Sequence, residues 1–265
     1  MRSFAEATSW TRADDGVFTG VIDEDWAQGR SAFGAILAAA GVRALAASVP
    51  AERRLRSVLV SFVGPVHPGP ASAHTTALRA GGSLTQGEAR IIQDGAVRCV
   101  ILAAFGAARA TRVPLEGPRR PAVAGPAGLT EMPYFKGVMP AFTRQFAYRW
   151  TVDTLPFSGS DTGFVQGWIR ERGQAVDHAA DLLALLDGWP SPVLSRATAP
   201  TPSSSVTWQV NILDELDEPV DDWWLFEARE VASWAGHGDY TAHLWRNDGR
   251  LAATSRQLIV EFSAR

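Results

Sequence analysis

The chain has 265 residues with 25 Lys+Arg against 28 Asp+Glu, a formal charge of -3 that gives no basic field and argues against nucleic acid as a main partner. Its 46% hydrophobic content suits a compact protein with an ample core, and its one cysteine, Cys99, excludes an internal disulfide or a thiolate metal cluster. The length fits either one large domain or two modest ones.

From the N-terminus, MRSFAEATSWTRADDG carries no apolar stretch of the signal-peptide kind. VFTGVI reads as a strand, and Ser31 is placed to cap a helix over 33–47. The apolar run 32–49 is the one candidate membrane span, but it holds Arg43 and consists largely of Ala and Gly, so it reads as a helix buried in protein. No membrane partner is expected, and the expected location is the cytoplasm. SVLVSFVGPV then reads as a strand buried on both faces, followed by strands near SAHTTALRA, TQGEARIIQD and AVRCVILAAF. Cys99, inside the last of these, reads as an inert core thiol.

Residues 111–144 hold six of the 16 prolines, Pro114, Pro118, Pro121, Pro126, Pro133 and Pro140. That density blocks helix continuation and sheet pairing, so the segment reads as a connector over the surface between units at 1–110 and 145–265. The second unit repeats the layout of the first. FAYRWTVD and FVQGWIRER read as strands, and HAADLLALLD as a helix with Ala179, Leu182, Leu183 and Leu186 on one stripe. SVTWQVNI alternates as a half-buried strand, and the ends match through Asp94-Gly95 and Asp248-Gly249, each a hairpin turn between two strand patterns. The second unit also carries eight of the ten tryptophans, which suits a broad sheet face, a groove or a subunit contact.

The common catalytic signatures, G-x-S-x-G, the P-loop, H-E-x-x-H and G-x-G-x-x-G, are absent. The five histidines lack metal-ligand spacing, and His67 and His237 sit in turns. Asp187 ends a helix whose last turns are apolar, where a carboxylate meets the negative end of the dipole at a cost of about 0.3 to 1 kcal/mol. It is either a general base whose pKa partial burial raises or a helix-terminal Asp opening a turn, with Asp181 as the competing carboxylate. Gln257 shares a strand face with the small Ala253 and Ser255, opposite Leu258, Val260 and Phe262; it is either a polar group beside room for a ligand or an outward, exposed glutamine, and the equivalent position of the first unit is Ala103. The run TPSSSVTW offers Thr201, Ser203, Ser204, Ser205 and Thr207 either as a solvated turn or as a source of hydroxyls.

In its segments WAQGRSAFGAILAAA, LRSVLVSFVGPVHPGP, LLALLDGWPSP and DGRLAATSRQ, in that order and spacing, the chain resembles the double-hotdog acyl-CoA thioesterases, the type II or medium-chain acyl-CoA hydrolase-like family. The resemblance implies an α+β tandem hotdog, each half a long helix wrapped by a curved antiparallel sheet. It implies hydrolysis of an acyl-CoA thioester by a water that Asp187 activates, with Ser203 and Gln257 holding that water, and Ser204 or Thr201 as alternative hydroxyls. No metal or other cofactor is implied, coenzyme A being part of the substrate, and the apolar strand 57–63 supports a homodimer. A hotdog enoyl-CoA hydratase fits less well, since no paired Asp and His stands at the expected strand-to-helix position. A hotdog protein that binds acyl-CoA or acyl chains without turnover is the alternative.

Overall fold

A computed structural model describes residues 2–113, 117–172, 176, 178–216 and 219–262. In chain order the elements are α1 (Phe4–Thr8), β1 (Thr11–Asp14), β2 (Val17–Ile22), β3 (Ala27–Gln28), β4 (Ser31–Ala32), α2 (Gly34–Ala46), β5 (Arg53–Phe62), β6 (Gly69–Ala80), β7 (Leu84–Gln93) and β8 (Ala96–Ala107). After the proline-rich stretch come β9 (Phe146–Trp150), β10 (Phe164–Glu171), α3 (Asp181–Asp187), β11 (Ser203–Ile212), β12 (Trp224–Trp234), β13 (His237–Arg246) and β14 (Leu251–Glu261).

All but β3 and β4 join one 12-stranded sheet in the order β1-β2-β6-β7-β8-β5-β11-β14-β13-β12-β10-β9. The order repeats about the central pair β5–β11: β8, β7, β6 and β2 lead outward on one side, and β14, β13, β12 and β10 on the other. On the inner face β6, β7 and β8 pack on α2, β10, β12 and β13 pack on α3, and the two helices pack on each other. Helix α2 is apolar almost all round, as a helix enclosed by sheet must be, with Ile36, Ala38, Ala39 and Val42 buried. Its Arg43 reaches the buried Asp181 at the start of α3, an ion pair that ties the halves together. Asp181 therefore belongs to the helix contact.

Several elements differ from the sequence reading. Helix α3 has 7 residues, not the ten of HAADLLALLD, because the Asp181 carboxylate accepts the His178 N–H 3.2 Å away and holds the chain in a turn before the helix. Ser31 lies in β4 and caps nothing; the N-cap position of α2 is Phe33, which offers no side-chain acceptor. Strand β5 is not buried on both faces, since Val58 and Val60 point inward while Leu59 is 46% exposed. The two Asp-Gly pairs make different turns. Asp94 and Gly95 both take positive φ, whereas at the second only Gly249 does, and there Asp248 Oδ1 accepts the Arg250 N–H at 2.9 Å.

Residues 118–129 of the proline-rich stretch lie over the outer face of the second half, where tryptophans hold them, while Phe142 near its end enters the main core against Phe33. Trp168 Nε1 donates to the Ala124 carbonyl at 2.8 Å and Trp245 Nε1 to that of Pro118 at 2.9 Å. With Trp223 and Leu225 these rings form a separate apolar cluster beneath Val123 and Leu129. Three of the ten tryptophans thus serve packing between the sheet and this segment, two of them covering area while the ring N–H meets a carbonyl that a proline-bearing segment cannot pair in a sheet.

Candidate active site

Asp187 is the last residue of α3, and its carboxylate crosses to the other half of the chain. Oδ2 accepts the backbone N–H of Ala35, in the first turn of α2, at 2.9 Å. The carboxylate thereby does the capping work that Phe33 cannot, and it sits at the positive end of the α2 dipole. Gly34 makes this approach possible. A Cβ at that position would lie 2.9 Å from Asp187 Oδ2 and 3.1 Å from the Phe62 ring.

The residue keeps some surface, but its carboxylate is enclosed, and burial pushes its pKa up from 3.8 to about 6. The N–H of Ala35 and the side-chain amide of Gln257 pull the other way and offset only part of the rise. Gln257 is 3% exposed on the inner face of β14, between Ser255 and Ile259. Its Nε2 donates to Ser205 Oγ, and its Oε1 accepts from the Tyr240 hydroxyl. A second phenol, Tyr148, donates to the carbonyl of Gly188, next to Asp187, at 2.8 Å. Burial raises both phenols well above their ordinary range; Arg172 opposes the rise at Tyr148, and the Asp187 carboxylate adds to it at each.

Of the residues singled out in the sequence, Asp187 and Gln257 come together. Ser203 does not meet Gln257; the hydroxyl that does is Ser205. Strand alternation counted back from the inward Trp208 selects Val206 and Ser204. A bulge between Ser205 and Thr207 leaves Val206 without a partner and shifts the phase, so Ser205 turns inward opposite Ile259. Ser203 shares that face but lies two residues further on, opposite Glu261 and about 7 Å along the strand. Ser204 is exposed, and Thr201 bonds only the nearby Ala199 carbonyl, at 3.0 Å. His67 is exposed and its Nδ1 meets the carbonyl of Arg30, 37 residues earlier, at 2.8 Å; His237 is exposed at the first residue of β13, not in the turn, and bonds the nearby Ala235 carbonyl, while Cys99 is fully buried with its thiol pKa pushed up by burial. Tyr240, Tyr148, Gly34 and Ala35 were not read from the sequence; a glycine and an alanine in an Ala-rich helix, and tyrosines in apolar strands, give no signal that sets them apart. Among the described residues no three His, Cys, Asp or Glu side chains are grouped to hold a metal, and no helix is long and apolar enough to cross a membrane.

The sequence matches the family description "Acyl-CoA thioesterase C-terminal domain" over residues 120–260 and "Acyl-CoA thioesterase N-terminal domain" over 22–106. The chain belongs to the acyl-CoA thioesterase family. No curated protein matches it in sequence. Solved structures similar to this family member include a conserved protein of unknown function with hot dog fold from Alicyclobacillus acidocaldarius, 22% identical, with a TM-score of 0.90 over 100% of each chain. A putative thioesterase II from Thermobifida fusca YX is 20% identical, with a TM-score of 0.87 over 99% of this chain and 98% of that one. The acyl-CoA thioesterase II TesB2 from Mycobacterium marinum is 16% identical, with a TM-score of 0.80 over 98% of each. At these identities the likeness establishes the hotdog fold.

The burial of Asp187 has a consequence for stability. An unfolded chain loses this proton near 3.8, the folded chain only near 6, so the folded state binds more protons between those values. Stability from this group is therefore present at low pH and lost as pH rises through about 6, with a total near 3 kcal/mol. The unfolding free energy of Asp187→Asn minus that of the native chain is expected to grow by about 3 kcal/mol between pH 3 and pH 8 in urea titrations. A flat difference would mean that the carboxylate is solvated.

Proposed function

We propose that the chain is a double hotdog that hydrolyses an acyl-CoA thioester, with units at 1–110 and 145–265 joined by the connector 111–144. The observation that carries this reading is the Asp187 carboxylate, enclosed between the halves, bonded to the first turn of α2 and faced by the Gln257 amide. Near pH 7 a base with a pKa of about 6 is mostly ionised yet still proton-hungry, which suits it to activating water. Gln257 and Ser205 hold the water. Asp187 takes a proton as the water oxygen bonds to the thioester carbonyl carbon. The carbonyl oxygen, now negative, is received by the Gly34 N–H, which as the first donor of α2 has no acceptor within its own helix. Collapse breaks the carbon–sulfur bond, and the proton on Asp187 passes to the departing thiolate, leaving free acid and coenzyme A. The scheme needs no cofactor. A homodimer is part of the proposal, its contact the open outer face where Leu59 and Leu102 pair at 46% and 39% exposure.

Purified protein should release thiol from one or more members of an acyl-CoA series. In a single turnover in ¹⁸O-water the label should enter the released acid and not Asp187. Absence of thiol release across the series defeats the reading, and label found in Asp187 replaces activated water with direct attack by the carboxylate.

A further inference from the structure

We propose that Tyr240 is a positioning residue for the hydrolysis, its hydroxyl fixing which way round the Gln257 amide stands; this rests on the hydrolytic reading of the Asp187 site. Tyr240 and Gln257 stand directly opposite each other on β13 and β14, 5% and 3% exposed, with the phenol donating to Oε1. An amide turns about its last bond with two nearly equivalent settings, which exchange oxygen and nitrogen. In one setting both Nε2 hydrogens face Ser205 and the Asp187 side. In the other Oε1 faces a carboxylate, acceptor against acceptor, and the water loses its donor. The carboxylate disfavours the second setting, and a donor placed beside Oε1 adds to that bias and holds the amide in the first; Tyr240 is that donor. Its phenol stays protonated across the working range, because burial and the nearby Asp187 both hold its pKa well above the ordinary value.

The internal repeat supports the assignment. Eight residues past each hairpin glycine stand Gln257 in the second half and Ala103 in the first. The residue paired with Gln257 is Tyr240, and the residue paired with Ala103 is Gly87. Where the amide is missing the phenol is missing too. In the first half the space beside Gly87 is taken by Leu45, whose Cδ2 a Cβ there would meet at 2.7 Å.

Tyr240→Phe keeps the ring and removes one oxygen. It is expected to lower kcat by about 10- to 100-fold with KM changed less than about twofold. Among the described residues the ionisable groups facing Asp187 are the phenols of Tyr148, from β9, and Tyr240, from β13. Since the Gln257 amide lowers the Asp187 pKa, the acid limb of kcat/KM should move upward in Tyr240→Phe, a shift that a loss of stability would not produce. In a Gln257→Ala background Tyr240→Phe should cost nothing further, because the phenol acts through the amide. Thermal midpoints verify folding, and Tyr240→Met supplies the same deletion if the phenylalanine variant does not fold. Native kcat and an unmoved limb in Tyr240→Phe, with Asp187→Asn inactive, overturn this proposal alone. An equal loss in the Gln257→Ala background overturns it as well, whereas full activity of Asp187→Asn overturns the hydrolytic reading beneath it.

Discussion

Asp187→Asn is expected to lower kcat for acyl-CoA hydrolysis by about 10³-fold or more while leaving KM within a fewfold of the native value. The asparagine oxygen can still accept the Ala35 N–H, so the first turn of α2 keeps its acceptor and the site keeps its shape. What disappears is the ability to take a proton, and a positioned general base contributes on the order of 10² to 10⁴. In the native chain the base must be ionised to act, so kcat/KM should rise with pH through about 6 and level above it. The residual activity of Asp187→Asn should show no such limb. Rates from thiol release over pH 5 to 9 check both parts, and a variant that keeps both rate and limb removes Asp187 from the chemistry.

The readable and unreadable parts of this molecule divide along a physical line. Local periodicity reported elements: VFTGVI is β2, the Ala-rich stretch is α2, and alternation grouped Gln257 with Ala253 and Ser255 on one face of β14, though which face is buried came only from the fold. Turn chemistry reported the Asp94-Gly95 hairpin and a turn around His237, yet the hairpin joining β12 and β13 turns on Ala235-Gly236, with alanine at φ 49, and the exposed second half of β12 leading into it shows no strand alternation. Strand β12 therefore went unpredicted. The hydroxyl partner of Gln257 depended on one extra residue in β11. A bulge is fixed by how two strands settle against each other, and it reverses every face assignment beyond it. The remaining unread part is separation along the chain. Asp187 was visible as an ill-placed carboxylate at a helix end, but the donor that accounts for it, Ala35, stands 152 residues earlier and becomes its neighbour only when β5 and β11 join the halves.

That same junction supports the second large expectation. Gly34→Ala should lower kcat/KM by about 10²-fold while leaving thermal stability near the native value. The added methyl would stand 2.9 Å from Asp187 Oδ2 and 3.1 to 3.2 Å from two ring atoms of Phe62, closer than carbon normally approaches either. Gly34 does not have positive φ, so alanine meets no backbone strain there, and as a helix former it is favoured over glycine by up to about 1 kcal/mol. The fold can yield by turning the Asp187 side chain or Phe62 aside, which moves the carboxylate off the Ala35 N–H and out of line with Gln257, and the lost cap costs about 1 kcal/mol, offsetting the helix gain. A displacement of about 1 Å in a reacting group is enough for the loss expected. A destabilised protein would instead lose activity and thermal midpoint together. Gly34→Ala with native kcat/KM would mean that the working carboxylate has more room than this packing gives it, and that the first turn of α2 does not set its position.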